Sequence, residues 1–203
     1  MIRCVFVIVV MFLVSRIAVA QDRVYPKAKV SFHDFQELVA EVEAHRASHL
    51  LGLNAFLELS KEPDVIILDT RSTFRFERIH IKGSAHLAFT DFTQDNLEKL
   101  IPSPDTRILI YCNNNFEGNE IDFATKAFIP NLASRRAAAT QIGVQEKPRM
   151  MALNIPTFIN LYGYGYHNVY ELDELVRVTD PRIEFEGSVV TQAGVELSPF
   201  SKQ

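Results

Sequence analysis

The chain has 203 residues, with 21 Lys and Arg against 25 Asp and Glu and a formal net charge of −4. This length suits one domain with a sizeable core, or one domain with extensions. The mildly acidic balance argues against nucleic acid or an anionic membrane surface as the main partner.

Residues 1–20 do not read as part of a fold. A basic start with Arg3 precedes the apolar run 5–14, and small Ala18 and Ala20 stand before Gln21, the pattern of a secretory signal peptide cleaved before Gln21. The run is far shorter than the ~20 residues a membrane-spanning helix needs, so no stable membrane insertion is expected after cleavage. Cleavage would leave 183 residues at net charge −6 and remove Cys4, so Cys112 would have no intrachain cysteine to pair with. A lone thiol in an oxidising compartment is open to oxidation and intermolecular pairing, so its presence suggests use. Burial as an inert core residue is the other reading.

Residues 21–47 read as an N-terminal extension. Ser31 is a good N-cap, and Phe32, Phe35, Leu38, Val39 and Val42 recur at helical spacing opposite Glu37, Glu41 and Glu43. The main domain is expected over 48–178. It begins with an extended piece at 50–53 and a helix at 55–61, capped by Asn54 and stopped by Pro63. Continuous apolar runs at 65–68 and 107–111 ("RILIY") and a third at 169–172 ("VYEL") suit strands buried on both faces, with a shorter candidate at 85–87. Helical patterns fall between them at 95–100, 120–129 and about 156–162. Alternating strand and helix implies an α/β fold with right-handed crossovers. Residues 130–150, broken by Gly143 and Pro148, read as a surface insertion, and 179–203 as a polar tail that wraps the domain or frays.

Cys112 follows directly on the "RILIY" strand, and Asn119 can cap a helix starting at Glu120. Ligands of parallel α/β sheets bind outside the carboxyl ends of the strands. Loop N–H groups and a helix N-terminus there favour a thiolate. Asn113, Asn114, Asn115 and Gly118 tolerate the left-handed backbone that curls N–H groups towards one point, so 113–119, including Phe116, Glu117 and Asn119, can form an anion cradle; an ordinary exposed turn fits the composition equally well.

The stretch "LDTRSTFRFERIHIKGSAHL", residues 68–87, resembles the signature of the rhodanese-like domain family: Asp69 ending a strand, then Arg71, Phe76, His80, Ile81, Gly83, His86 and Leu87 in register. "RILIYC" and "GYHNVYEL" resemble the family's strand before the active-site cysteine and its last strand. The resemblance implies a parallel five-stranded sheet flanked by helices, with the extra N-terminal helix and the 130–150 insertion as additions. It implies sulfurtransferase chemistry, with Cys112 as nucleophile and persulfide carrier between a small sulfur donor and a thiol acceptor. Asn113 to Asn119 would be the cradle, with Asp69 and Arg71 supporting it as an ion pair and His80 and His86 holding a turn. No cofactor is implied, and neither histidine has a partner at metal-ligand spacing. The chain departs from the family in its loop, where Glu117 and Gly118 occupy positions at which sulfurtransferases and related phosphatases carry arginine; this argues against phosphatase activity. Asp173-Glu174 replaces the family's Gly-Gly after the last strand, and Arg135, Arg136 or Arg149 of the insertion are candidates to return a cation to the site. The competing reading is a rhodanese fold kept as a binding or redox-sensing module.

Overall fold

The computed structural model describes residues 25–124, 127–128, 149–150, 152–191 and 194–195. The chain divides into two units, Met1–Ser31 and Phe32–Gln203. Of the first, residues 25–31 contain no helix or strand.

The second unit is built on a five-stranded sheet. Its strands are β1 (Leu50–Leu51), β2 (Val65–Asp69), β4 (Ala85–His86), β5 (Arg107–Tyr111) and β9 (Val169–Leu172), in the order β1-β9-β5-β2-β4, every pairing parallel. The three apolar runs are the three central strands, because only a strand covered on both faces has no polar side to show. Along β5, Ile108 and Ile110 join a core with Leu97, Phe158, Leu161 and Val42, while Leu109 and Tyr111 join a second core with Leu53, Phe56, Phe116 and Phe185. The period-2 alternation of a strand puts successive side chains into opposite cores.

Helices α1 (Phe32–Ala47), α4 (Gln94–Leu100) and α5 (Asn154–Gly163) supply the first core, and α2 (Leu53–Leu59) part of the second. Helix α1 is therefore more than an extension: Val42 is fully buried, Leu38 and Val39 pack on the same core, and Arg46 pairs with buried Glu171 of β9. Its first turn behaves otherwise, since Phe32 is 75% exposed and Phe35 is 48% exposed. Helix α2 begins one residue before the expected cap at Asn54, because the Leu53 N–H is satisfied by Glu174 Oε2 at 2.9 Å.

One expectation is corrected after the central strand. No helix forms over 120–124. The chain makes a single turn in which Asn119 accepts the Asp122 and Phe123 N–H groups, then Asp122 is held by Arg75 and Arg78 of α3 (Thr73–Arg78) and Phe123 is buried. These side-chain ties end the helical path before a second turn can form. Further on, β7 (Ala127–Phe128) pairs antiparallel with β8 (Arg149–Met150), which brings the two ends of the expected insertion together; residues 129–148 lie outside the described residues.

Of the two outcomes expected for the tail, its first part wraps the domain. Ile183, Phe185 and Val189 are buried in the core, and β11 (Phe185–Glu186) pairs antiparallel with β3 (His80–Ile81), so the packed domain continues past Val178. Gly187, at φ +134°, crosses the backbone of Arg78 so closely that a Cβ would lie 2.3 Å from the Arg78 carbonyl oxygen. Residues 196–203 lie outside the described residues.

Candidate functional site

Strand β5 delivers Cys112 to the carboxyl end of the sheet in extended conformation, φ −145° and ψ 178°. The residue is 1% exposed. Its Sγ accepts the backbone N–H of Leu153 at 3.3 Å and that of Asn115. Leu153 is the N-cap of the ten-residue α5. The helix whose N-terminus meets the sulfur is thus α5, reached from a distant part of the chain, and the donors that face it favour negative charge there.

The expected cradle is not one curl. Asn113–Asn115 form a 3₁₀ turn, Phe116–Glu117 form strand β6, paired in parallel with β10 (Val176–Arg177), and none of the asparagines takes a positive φ. The reason is that several side chains have separate anchors. Phe116 is buried against Phe123 and Phe185, Glu117 meets Arg177 Nε at 3.2 Å on the surface, and Asn119 caps the turn to Phe123. Gly118 alone of the loop is left-handed, at φ +94°.

Asn115 ties the site together. Its Oδ1 accepts the Cys112 N–H at 2.8 Å and Asn154 Nδ2 at 3.1 Å, and its Nδ2 donates to the carbonyls of Leu172 at 2.6 Å and Glu174 at 3.2 Å. One buried amide therefore fixes the cysteine backbone, α5 and the end of β9 to one another.

Beneath the loop lies the pair expected from Asp69 and Arg71. Arg71 Nε reaches both Asp69 carboxylate oxygens at 3.0 Å, its NH2 reaches Oδ2 at 2.7 Å and the Ile79 carbonyl at 2.5 Å, and its NH1 reaches Asn113 Oδ1 at 3.3 Å. The guanidinium lies 4.7 Å from the Phe123 ring centroid and 5.6 Å from that of Tyr111. Burial works against its charge, but the Asp69 hydrogen bonds and carboxylate outweigh it and hold Arg71 above the ordinary arginine range. A Cys112 thiolate adds a further, smaller attraction to a guanidinium that is committed to Asp69. The Tyr111 hydroxyl donates to Asp69 Oδ2 at 2.6 Å and accepts the Ile81 N–H at 3.1 Å. Burial, then the neighbouring carboxylate, pushes its pKa well above the usual tyrosine value.

His80 and His86 hold the following turn. Both stack on Phe76, with ring centroids 3.7 and 4.5 Å away, and they hydrogen-bond the carbonyls of Phe76 and Arg71 respectively. Arg135 and Arg136 lie outside the described residues, as does the side chain of Arg149. Sequence reasoning missed Leu153 and Asn154, because it started this helix near Pro156; the Asn154-x-Pro156 pattern, a capping-type residue just before proline, was the available signal.

An open cleft of about 300 Å³ lies at this end of the sheet, lined by Asn114, Asn115, Asn154, Ile155, Leu172 and the segment 173–175, with Arg46 and Glu171 at one side. Among the described residues no group of three or more His, Cys, Asp or Glu is arranged to hold a metal ion.

No curated protein matches the chain. Among solved structures, similarity is found to the BH2092 protein from Bacillus halodurans, at 15% identity over 68% of this chain and 74% of that one, with a TM-score of 0.32. Similarity is also found to the 30 kDa polysulfide-sulfur transferase homodimer from Wolinella succinogenes, at 15% identity over 72% of this chain and 91% of that one, with a TM-score of 0.30. Residues 53–174, more than half of the chain, match the family model of the rhodanese-like domain. With its parallel five-stranded sheet and a cysteine at the end of the central strand, this chain belongs to the rhodanese-like domain family.

Proposed function

We propose that the protein is an exported sulfurtransferase that carries sulfur on Cys112 between a small donor, thiosulfate or a low-molecular-weight persulfide, and a thiol acceptor. The observation that carries this reading is the Cys112 sulfur at the carboxyl end of β5, facing the N-terminal N–H of α5. In the first half-reaction the Cys112 thiolate attacks the outer sulfur of the donor. The donor's S–S bond breaks, and sulfite, or a thiolate, leaves with the bonding electron pair. In the second, the acceptor thiolate attacks the outer sulfur of the persulfide, and the Cys112 thiolate leaves. The N–H groups of Leu153 and Asn115 stabilise Cys112 when it carries negative charge as attacking or leaving group. Export rests on the signal-like residues 1–20.

Intact-mass analysis after incubation with thiosulfate, and separately with a persulfide, tests the reading. One added sulfur atom that is absent from Cys112→Ser supports it. No addition from either donor, while a known sulfurtransferase is loaded in parallel, sinks it.

A second reading has its own support. Cys112 is 1% exposed and Glu117 is turned to an ion pair with Arg177, features suited to a rhodanese fold used as a binding or redox-sensing module. Under that reading, Cys112→Ser restores function to a deletion strain if the fold alone acts.

A further inference from the structure

A sulfur carrier has to meet its donor and its acceptor, yet Cys112 is 1% exposed and the Leu153 N–H closes on its sulfur at 3.3 Å. The turn that brings Leu153 there is weakly secured. Helix α5 has no side-chain cap, because the aliphatic side chain of Leu153 cannot accept an N–H. Its start is held by the Thr157 N–H on the Leu153 carbonyl at 2.8 Å. Of residues 153–155 only Asn154 is buried, and Ile155 is 48% exposed.

Asn154 uses half of its amide. Its Nδ2 donates to Asn115 Oδ1 at 3.1 Å, while its Oδ1 is buried with no hydrogen-bond partner. Turning the amide over would not relieve this, since it would set oxygen against oxygen: Asn115 Oδ1 is fixed as an acceptor by the Cys112 N–H, and Asn115 Nδ2 is held by the Leu172 and Glu174 carbonyls. A buried acceptor without a donor is a standing cost of this arrangement.

A start one residue later removes that cost. Asparagine is a good N-cap, and with Asn154 in that position Pro156 stands in the first turn, where its missing N–H is no loss. The donor three residues on is the Thr157 N–H, which would pass from the Leu153 carbonyl to Asn154 Oδ1. Leu153 then swings off the sulfur, and the groups released, its own N–H and carbonyl and Asn154 Nδ2, pass to water. The movement ends at Thr157, which is buried with its Oγ1 2.8 Å from Thr70 Oγ1 and is followed by buried Phe158.

We infer that the first turn of α5 is a gate over Cys112, closed when the helix starts from Leu153 and open when Asn154 becomes the N-cap. The inference deepens the sulfur-transfer reading, which needs the open form, but the gate itself does not depend on it.

Two measurements on the full chain test the gate without any sulfur transfer. The first is the rate of Cys112 alkylation by iodoacetamide in native buffer, taken on the high-pH plateau so that thiol acidity does not enter, and corrected for global unfolding by urea titration of each variant. Asn154→Asp keeps a capping oxygen and loses the bond to Asn115, so alkylation is expected about tenfold faster. Asn154→Ala removes both the cap and the orphaned oxygen, so alkylation is expected about threefold slower than in wild type. If Asn154 only clamps the site shut, both variants lose the clamp and alkylate faster; that result, or no acceleration in Asn154→Asp, overturns the inference. The second needs no variant: in hydrogen exchange the Leu153 amide is expected to open as often as Cys112 is alkylated, with the Thr157 amide at least about tenfold better protected. Equal exchange at Leu153 and Thr157 would mean that the turn frays instead of changing its cap, and would overturn the gate.

Discussion

Leu153 donates its backbone N–H to Cys112 Sγ at 3.3 Å, across 41 residues of sequence. Asn115 bonds both the Cys112 backbone and Asn154, which ties the turn after β5 to the start of α5.

Replacing Asn115 tests that coupling. Asn115→Ala leaves the Cys112 N–H and two carbonyls at the end of β9 without their partner, at about 1–3 kcal/mol for the first unsatisfied buried group. A loss of about 2–4 kcal/mol in denaturant unfolding is expected, with Cys112 alkylated faster by iodoacetamide as the site loosens. Unchanged stability and alkylation would mean that the amide is incidental.

The buried pair of Asp69 and Arg71 is expected to show strong coupling. Arg71→Met alone strands a buried carboxylate and should cost about 3–5 kcal/mol, as should Asp69→Leu, while the double variant should cost much less than their sum. A double-mutant cycle by urea denaturation measures this, and additive losses would show that the pair does not act as a unit.

Gly187→Ala is expected to destabilise the domain by at least about 2 kcal/mol, because the new Cβ would meet backbone rather than a flexible side chain, and φ +134° is a region L side chains rarely adopt. Ser188→Ala, one residue on and exposed, should lie within about 0.5 kcal/mol of wild type. Thermal unfolding of both variants decides whether the segment after Val178 is part of the cooperative unit.

Acid should weaken the loop through Asp122. Burial alone would raise its pKa, but hydrogen bonds from Arg78 and Asn119, with the charges of Arg78 and Arg75, lower it below the usual carboxylate value. A depressed folded-state pKa contributes stability that is present above the unfolded value of ~3.9 and is lost as pH falls through the folded value. Asp122→Asn is therefore expected to be about 1–3 kcal/mol less stable at neutral pH, and the gap to wild type should close below pH ~4. Urea midpoints measured from pH 7 downwards check the sign; a gap that stays constant would rule out the ion pairs as its source.

The central strands were legible because burial on both faces writes itself as continuous apolar runs, and β5 and β9 lie where those runs do. The Asp69 to Leu87 segment was legible through its resemblance to the family signature, and in the structure Asp69, Arg71, His80 and His86 bond one another or nearby backbone. The loop after Cys112 was not legible where its partners are remote: Arg78 and Arg75 for Asp122, Leu172 for Asn115, and Arg177 for Glu117. By composition alone, asparagines and a glycine before a polar, helix-compatible stretch favour a curl and a helix, and only long-range anchors override that preference.

The sequence by itself determined the α/β sheet and the placement of Cys112 at its carboxyl end, since these follow from local periodicity, while the acid–base pair beneath it was expected only from the resemblance of residues 68–87 to the family signature. Tertiary structure decided which helix N-terminus meets the sulfur, and that α1 and the segment beyond Val178 belong to the core. Each of these depends on which distant residues come together, and a contact such as that of Leu153 with Cys112 leaves no periodic trace in either segment.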